Sequence, residues 1–306
     1  TEYANHLGSC KNCYLIFNTS PAEEVLYSRG LRNARDSSDL YFGTAVERCY
    51  ESINTQQSAS VLWSQNVIGC VDCFFILNGS GLTNCFGCVN LRNKSNCFLN
   101  EQLTPEEYKN KINEIVGSYG RVEEFKRKFE AFSLQFPRRE NNNLKTTNSK
   151  GDYLFECKNV LDSFEISKGE NCKYLFSSKE IKDSLGIIGY GTQSEELLEC
   201  VATGHSSHVL GSYGISNSHD ILASFYIANC QDCIGCDAVR NIKYSIFNKE
   251  YEKEEYERIR EIIVKELTEK NLYGLMMPPE LAPFAYNETI GQDNMPLTKE
   301  QALERG

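Results

Sequence analysis

Apolar and polar positions alternate along this chain on a twelve-residue period. Every twelfth residue from Cys49 reads Val61, Cys73, Cys85, Cys97, and the next position reads Tyr50, Leu62, Phe74, Phe86, Phe98. Five places after the first column stand Asn54, Asn66, Asn78 and Asn90. In the C-terminal half the same columns read Leu197, Val209, Ile221, Cys233, Ser245 and Leu198, Leu210, Leu222, Ile234, Ile246. An apolar pair, a small residue and a turn residue in twelve is too short for a helical repeat and predicts a strand-and-turn unit. The Asn column marks a corner, because Asn and Gly serve where the backbone turns through positive φ. Stacked at the ~4.8 Å spacing of paired strands, such units make a solenoid whose columns run as ladders along the axis. Each coil then buries what a lone repeat leaves exposed. Parallel crossovers predict a right hand.

Twelve residues at roughly 3.3 Å each enclose a contour of about 40 Å, enough for a file of small side chains. Trp63, Phe74, Phe75, Phe86 and Tyr213 fall near the core columns. The favoured arrangement is therefore two repeat units facing one another in each coil, with a one-unit coil as the alternative.

The block Cys85-Phe-Gly-Cys88, Arg92-Asn93, Asn100 and Glu106-Glu107-Tyr108 returns 148 positions later as Cys233-Ile-Gly-Cys236, Arg240-Asn241, Asn248 and Glu254-Glu255-Tyr256. The chain is two copies of one unit, each closed by helix. Thr104-Pro-Glu-Glu107 is a capping box with proline at the first helical position. Tyr108, Ile112, Ile115 and Val116 follow at helical spacing, and Val122, Phe125, Phe129 and Phe132 continue after a break at Gly117 to Gly120. In the second copy Tyr256, Ile259, Ile263, Val264 and Leu267 share a helix face. The chain is expected to be mainly β: two tandem right-handed parallel β-solenoids built on a 12-residue repeat, each followed by capping α-helices.

The boundaries read 1–103 for the first solenoid, 104–137 for its capping helices, 138–150 for a polar linker and 151–248 for the second solenoid. A capping helix at 249–270 precedes an extended tail, 271–306, with Pro278, Pro279, Pro283 and a short helix that Thr298 and Gln301 can cap. Gly87 and Gly235 are expected to mark close backbone approaches. Arg92-Asn93 and Arg240-Asn241 are expected to tie the solenoid's last carbonyls to the turn into the helix.

The 306 residues are 41% apolar and 24% charged, a globular balance with room for a sizeable core. The sequence holds no apolar run long enough to span a membrane and no leader-like N-terminus. It begins at Thr1 and enters a rung at Cys10-Lys-Asn-Cys13, which reads as a fragment. Residues 1–150 carry 17 Lys and Arg against 16 Asp and Glu, net +1, leaving −11 for the rest. The acidic second half disfavours direct nucleic-acid binding, which needs clustered Lys and Arg, and permits the converse role of an acidic nucleic-acid mimic.

Fourteen cysteines include the pairs Cys10/Cys13, Cys70/Cys73, Cys85/Cys88 and the run Cys230, Cys233, Cys236. Paired CxxC motifs suggest zinc or disulfides. The columns favour a ladder of small buried thiols instead, since the same positions hold Val61, Leu197, Val209 or Ile221 and the neighbouring column holds Ser52, Ser64, Ser212 and Ser224. No metal or other cofactor is assigned. Free buried thiols suit a reducing, cytoplasmic location.

Two weaker constellations remain. Cys200, His205, His208 and His219 have the residue types of a Cys/His metal site. Glu196, His208, Asp220 and Asp232 share one phase of the repeat and line one edge of the second copy. Carboxylates one rung apart lie ~5 Å from each other, close to the separation retaining glycosidases use, and could also chelate calcium.

The phrases Lys-Asn-Cys-Tyr-Leu-Ile-Phe at 11–17, Asn-Cys-Phe-Gly-Cys-Val-Asn-Leu-Arg-Asn-Lys at 84–94 and Pro-Phe-Ala-Tyr-Asn-Glu-Thr at 283–289 resemble a family of uncharacterised cysteine-rich repeat proteins of uncultured bacteria and their phages. The resemblance spans most of the chain. It implies zinc-finger-like segments flanking the repeats and no established activity, so no catalytic or binding residue is carried over from it. The leading functional expectation is a non-enzymatic scaffold or binding module that presents a solenoid surface to a protein, glycan or nucleic-acid partner. The alternative is a carbohydrate-active solenoid enzyme using Glu196, Asp220 and Asp232.

Overall fold

A computed structural model of the chain describes every residue except 190, 279, 280, 282–284, 290, 293, 294, 305 and 306. Two compact units, Thr1–Arg138 and Arg139–Gly306, each hold a parallel solenoid. Strand partners lie twelve residues apart: Tyr14 pairs Leu26, Val61 pairs Cys73, Cys73 pairs Cys85 and Cys85 pairs Cys97. One repeat therefore makes one complete coil, which overturns the two-unit coil. The aromatic residues that argued for a wide interior point outward. Trp63, Phe74, Phe75 and Phe86 pack beneath a helix, and Tyr213 meets Tyr226 edge-on at 4.9 Å.

A finer period explains how so small a coil closes. From Cys13 to Cys88 every third residue is buried. The residue before each has positive φ, as at Leu15, Asn18, Asn54, Ser60 and Asn66, except at Pro21, whose ring forbids it. Each coil thus has four three-residue sides, with a left-handed residue at every corner. A left-handed L-residue costs roughly 1–2 kcal/mol, least for Asn and Asp. The ladder along the axis offsets this cost, through bonds such as Ile53 N to Ser64 O (2.9 Å) and Trp63 N to Tyr50 O (3.0 Å).

That geometry turns the N–H of the buried residues inward, away from the backbone ladder, except at Ala34, whose N–H reaches Pro21 O at 3.2 Å. Serine and threonine supply the acceptor from one coil earlier. Leu40 N reaches Ser28 Oγ at 3.1 Å, Cys49 N reaches Ser37 Oγ at 3.0 Å, and Leu175 N reaches Ser163 Oγ at 3.0 Å. Each of these hydroxyls also donates to the carbonyl two residues back. Cysteine thiols make the same backward bond, Cys13 Sγ to Lys11 O at 3.2 Å and Cys172 Sγ to Glu170 O at 3.1 Å. Small size and one local donor are what the interior requires, so Ser and Cys share its columns with Val, Ile and Leu.

Helices α1 (Pro105–Val116) and α2 (Tyr119–Ser133) lie against outward columns of the first unit. The Thr104 capping box is present, with Glu107 N bonded to Thr104 Oγ1 at 3.3 Å. Phe125 of α2 sits 4.6 Å from Phe86 and 5.1 Å from Phe75 between ring centroids. It also touches the space a Cβ on Gly87 would need (2.8 Å), so Gly87 does mark a close approach. In the second unit α3 (Lys253–Glu269) places Tyr256, Ile259, Ile263, Val264 and Leu267 on Leu210, Leu222, Ile234 and Ile246.

The last coil of each unit is closed by an asparagine, not by the Arg-Asn pairs. Leu99 and Asn100, both at positive φ, turn the chain into a short antiparallel hairpin, as Phe247 and Asn248 do in the second unit. Asn100 Oδ1 accepts from Val89 N (2.8 Å) and its Nδ2 donates to Val89 O (3.0 Å). Asn248 makes the same pair with Asp237, at 2.9 Å each. The carboxamide stands in for the peptide group of a coil that does not follow.

The segment 138–150, expected as linker, contributes an incomplete coil. Leu144 and Thr147 bridge to Phe155 and Lys158, and Asn143 accepts from Leu154 N at 3.0 Å. A one-residue insertion sits further on, where Leu185 pairs Leu198. In the tail, Leu275 approaches Gly211 and Gly274 approaches Leu198. The terminal helix, Lys299–Glu304, is capped by Thr298; Pro279 and Pro283 lie outside the described residues. No helix among the described residues is long and apolar enough to cross a membrane, which says nothing of a β-barrel.

Candidate functional site

One corner column of the second unit runs Asn148, Asn159, Asn171, Asp183, Glu196, His208, Asp220, Asp232, Tyr244, all left-handed. Corner side chains radiate outward, so consecutive coils bring them side by side. The first part is an amide ladder: Asn148 donates to Asn159, Asn159 to Asn171 and Asn171 to Asp183, each at 2.9 Å. From Glu196 to Asp232 the column holds three acidic residues and His208. His208 Nε2 contacts Glu196 Oε2, its Nδ1 lies 3.8 Å from Asp220 Oδ1, and His219 Nδ1 lies 2.9 Å from Asp220 Oδ2. Glu196 and Asp220 thus stand two coils apart with His208 between them.

Glu196, His208 and Asp220 form one wall of a cleft of about 240 Å³. Leu210, Leu222 and Ile234 make the floor; Tyr256, Arg260 and Val264 of α3, with Tyr273 beyond it, make the opposite wall. Burial, then the charge of Asp220, raises the Asp232 carboxyl, with His219 and Arg260 opposing the rise. Burial also pushes the Tyr256 phenol up, keeping it protonated. Tyr256 is 1% exposed and its hydroxyl has no hydrogen-bond partner among the described residues.

The structure brings Glu196, His208, Asp220 and Asp232 together as the repeat phase implied. It does not gather Cys200, His205, His208 and His219, since Cys200 is buried inside the coil while the histidines project from corners and sides. Among the described residues no group of three or more His, Cys, Asp or Glu side chains is placed to hold a metal ion. All fourteen cysteines are free thiols. Sequence reasoning missed Tyr256, Arg260 and Tyr273 as cleft residues. The duplication carried a usable signal: Glu196, His208, Asp232 and Arg260 stand where the first copy has Arg48, Ser60, Asn84 and Ile112, while Asp220 matches Asp72.

No family model and no curated protein matches this chain. Among solved structures it is similar to a candidate acetyltransferase from Desulfovibrio desulfuricans G20, with 9% identity over 88% of this chain and 82% of that one and a TM-score of 0.16. It is also similar to a UDP-N-acetylglucosamine acyltransferase from Campylobacter jejuni, with 7% identity, 89% and 92% coverage and a TM-score of 0.10. Likeness at these scores carries no argument about this chain, so function rests on the cleft itself.

Proposed function

We propose that the chain is a non-enzymatic binding module that presents its solenoid surface to a protein or glycan partner, with recognition centred on the cleft beneath α3. The observation that carries this reading is the state of the carboxylates. Glu196 and Asp220 are both engaged by His208, and Asp220 by His219 as well, an arrangement that fixes hydrogen-bond acceptors in place. The cleft is smaller than the roughly 300–1,000 Å³ of pockets for drug-sized ligands. It fits a side chain, a terminal sugar or a small molecule.

Asp232 supports a second reading. Its carboxyl is raised, and Asp220 is one coil away, ~4.8 Å along the axis. Two carboxyls at that separation, one of them raised by burial, resemble the pair of a retaining glycosidase. The two readings part on a glycan and peptide array probed with the wild type and with a Glu196→Gln/Asp220→Asn double variant. Retention without turnover, lost in the double variant, supports the binding module. Release of cleaved sugar that disappears in Asp232→Asn replaces it with the carbohydrate-active enzyme, and retention unchanged in the double variant moves recognition away from the cleft.

A further inference from the structure

Resting on the cleft as the recognition site, we infer that it takes a small zwitterion, an α-amino acid with an apolar side chain. The ammonium group would face Glu196 and Asp220, and the carboxylate Arg260.

Arg260 is the first ground. Every other basic residue within α3 pairs with a helix neighbour: Lys253 with Glu257, Arg258 with Glu255, Lys265 with Glu269. Among the described residues Arg260 makes no salt bridge and no hydrogen bond, yet it lines the cleft opposite the carboxylates. A guanidinium presents a planar fork of donors suited to a carboxylate.

The second ground is Tyr256, which lines the same cleft and whose buried hydroxyl has no hydrogen-bond partner among the described residues. A buried polar group left unpaired is destabilising, and a ligand acceptor that reached it would relieve that cost. Tyr108, its counterpart in the first unit, is also unpartnered, so the phenol alone does not separate the units. The charges do. Arg48 replaces Glu196 and Ile112 replaces Arg260 there, removing an anionic and a cationic anchor together.

The third ground is the floor. Leu210, Leu222 and Ile234 lie between the two charged walls, so a ligand bound at both ends sets its middle on apolar surface. A zwitterion with an apolar side chain matches all three parts, and the volume of about 240 Å³ suits a molecule of that size.

Calorimetry on the full chain tests this with L-leucine, with 3-methylbutylamine, which lacks the carboxylate, and with 4-methylpentanoate, which lacks the ammonium. The expected result is leucine binding, with each analogue at least about tenfold weaker. Arg260→Met should weaken leucine by about tenfold or more and leave the amine unchanged, and Arg260→Lys should restore part of the loss; circular dichroism confirms that each variant is folded. Equal binding of the amine and leucine, or of the carboxylate and leucine, overturns the zwitterion while leaving the cleft as a binding site. An array ligand lost in the Glu196→Gln/Asp220→Asn variant, with leucine and other apolar amino acids all silent, also overturns it alone. Silence toward amino acids together with array binding unaffected by that variant overturns the cleft as well.

Discussion

Ser64 Oγ accepts a hydrogen bond from the Ile76 backbone N–H at 3.0 Å while donating to the Leu62 carbonyl at 2.8 Å. The hydroxyl therefore satisfies an inward donor on the next coil that the backbone ladder cannot reach. Ser64→Ala leaves the Ile76 N–H buried and unpaired, so unfolding stability should fall by about 1–3 kcal/mol in urea titration. Thr55 is the control: its hydroxyl is buried and without a hydrogen-bond partner among the described residues. Thr55→Val should be neutral or stabilising by about 1 kcal/mol. Equal losses at both sites would show that the hydroxyls act by volume alone.

The asparagine closures predict local fraying. In Asn100→Gly the positive φ of 67° is kept and the carboxamide is lost. Amide exchange at Val89 should accelerate in Asn100→Gly, and Asn100→Ala should add a backbone penalty of about 1 kcal/mol in overall stability. Unchanged protection of Val89 in both variants would count against the carboxamide as the terminating group.

The interior thiols should be inert in the native state. Burial pushes Cys172 and Cys200 up to about 11, disfavouring the reactive thiolate, whereas hydrogen bonds from neighbouring cysteines hold Cys70, Cys85 and Cys236 below the usual thiol range, so those three are protected by burial alone. Titration with a thiol reagent should label Cys10, the one cysteine not fully buried, well before the other thirteen, which become reactive on unfolding. Cys85→Val should fold at a cost of ~1–2 kcal/mol, since Val61 occupies the same column two coils earlier. Stoichiometric zinc with local unfolding on its removal would be the opposite result.

Asp232 gives a pH signature. Its carboxyl is raised in the folded state, so between the unfolded and folded values the native chain binds more protons than the unfolded one. Stability contributed by this residue therefore falls as pH rises through that window. Asp232→Asn should unfold at a higher temperature than the wild type at pH 7, with the gap closing as pH drops below about 4, where the unfolded carboxyl also becomes protonated. A gap that persists at low pH would assign the effect to packing.

Much of the fold was legible in the columns. The twelve-residue spacing, the Asn54 to Asn90 corner, the duplicated block and the Thr104 capping box all concern residues near in sequence or locked to a period. Any regular ladder must repeat such features, because each coil meets only its neighbours. The three-residue period was also written in the chain, in runs such as Val25, Ser28, Leu31, Ala34, Ser37, Leu40. It was harder to read because Ser, Ala, Cys and Gly share those positions with apolar residues, and hydropathy alone does not group them.

The sequence by itself determined a repetitive β architecture in two units and placed Glu196, His208, Asp220 and Asp232 on one edge. Tertiary structure decided what fills the coil and what faces that edge. The three-residue phase turns Phe75 and Phe86 outward, but their burial depends on α2 supplying Phe125 as cover, a contact between distant segments that no local period encodes. Arg260 likewise faces the carboxylate column across the cleft because α3 packs its apolar face on Leu222, Ile234 and Ile246. Burial of that face fixes the helix against the solenoid, and a cleft with opposite charges on its two walls is the result.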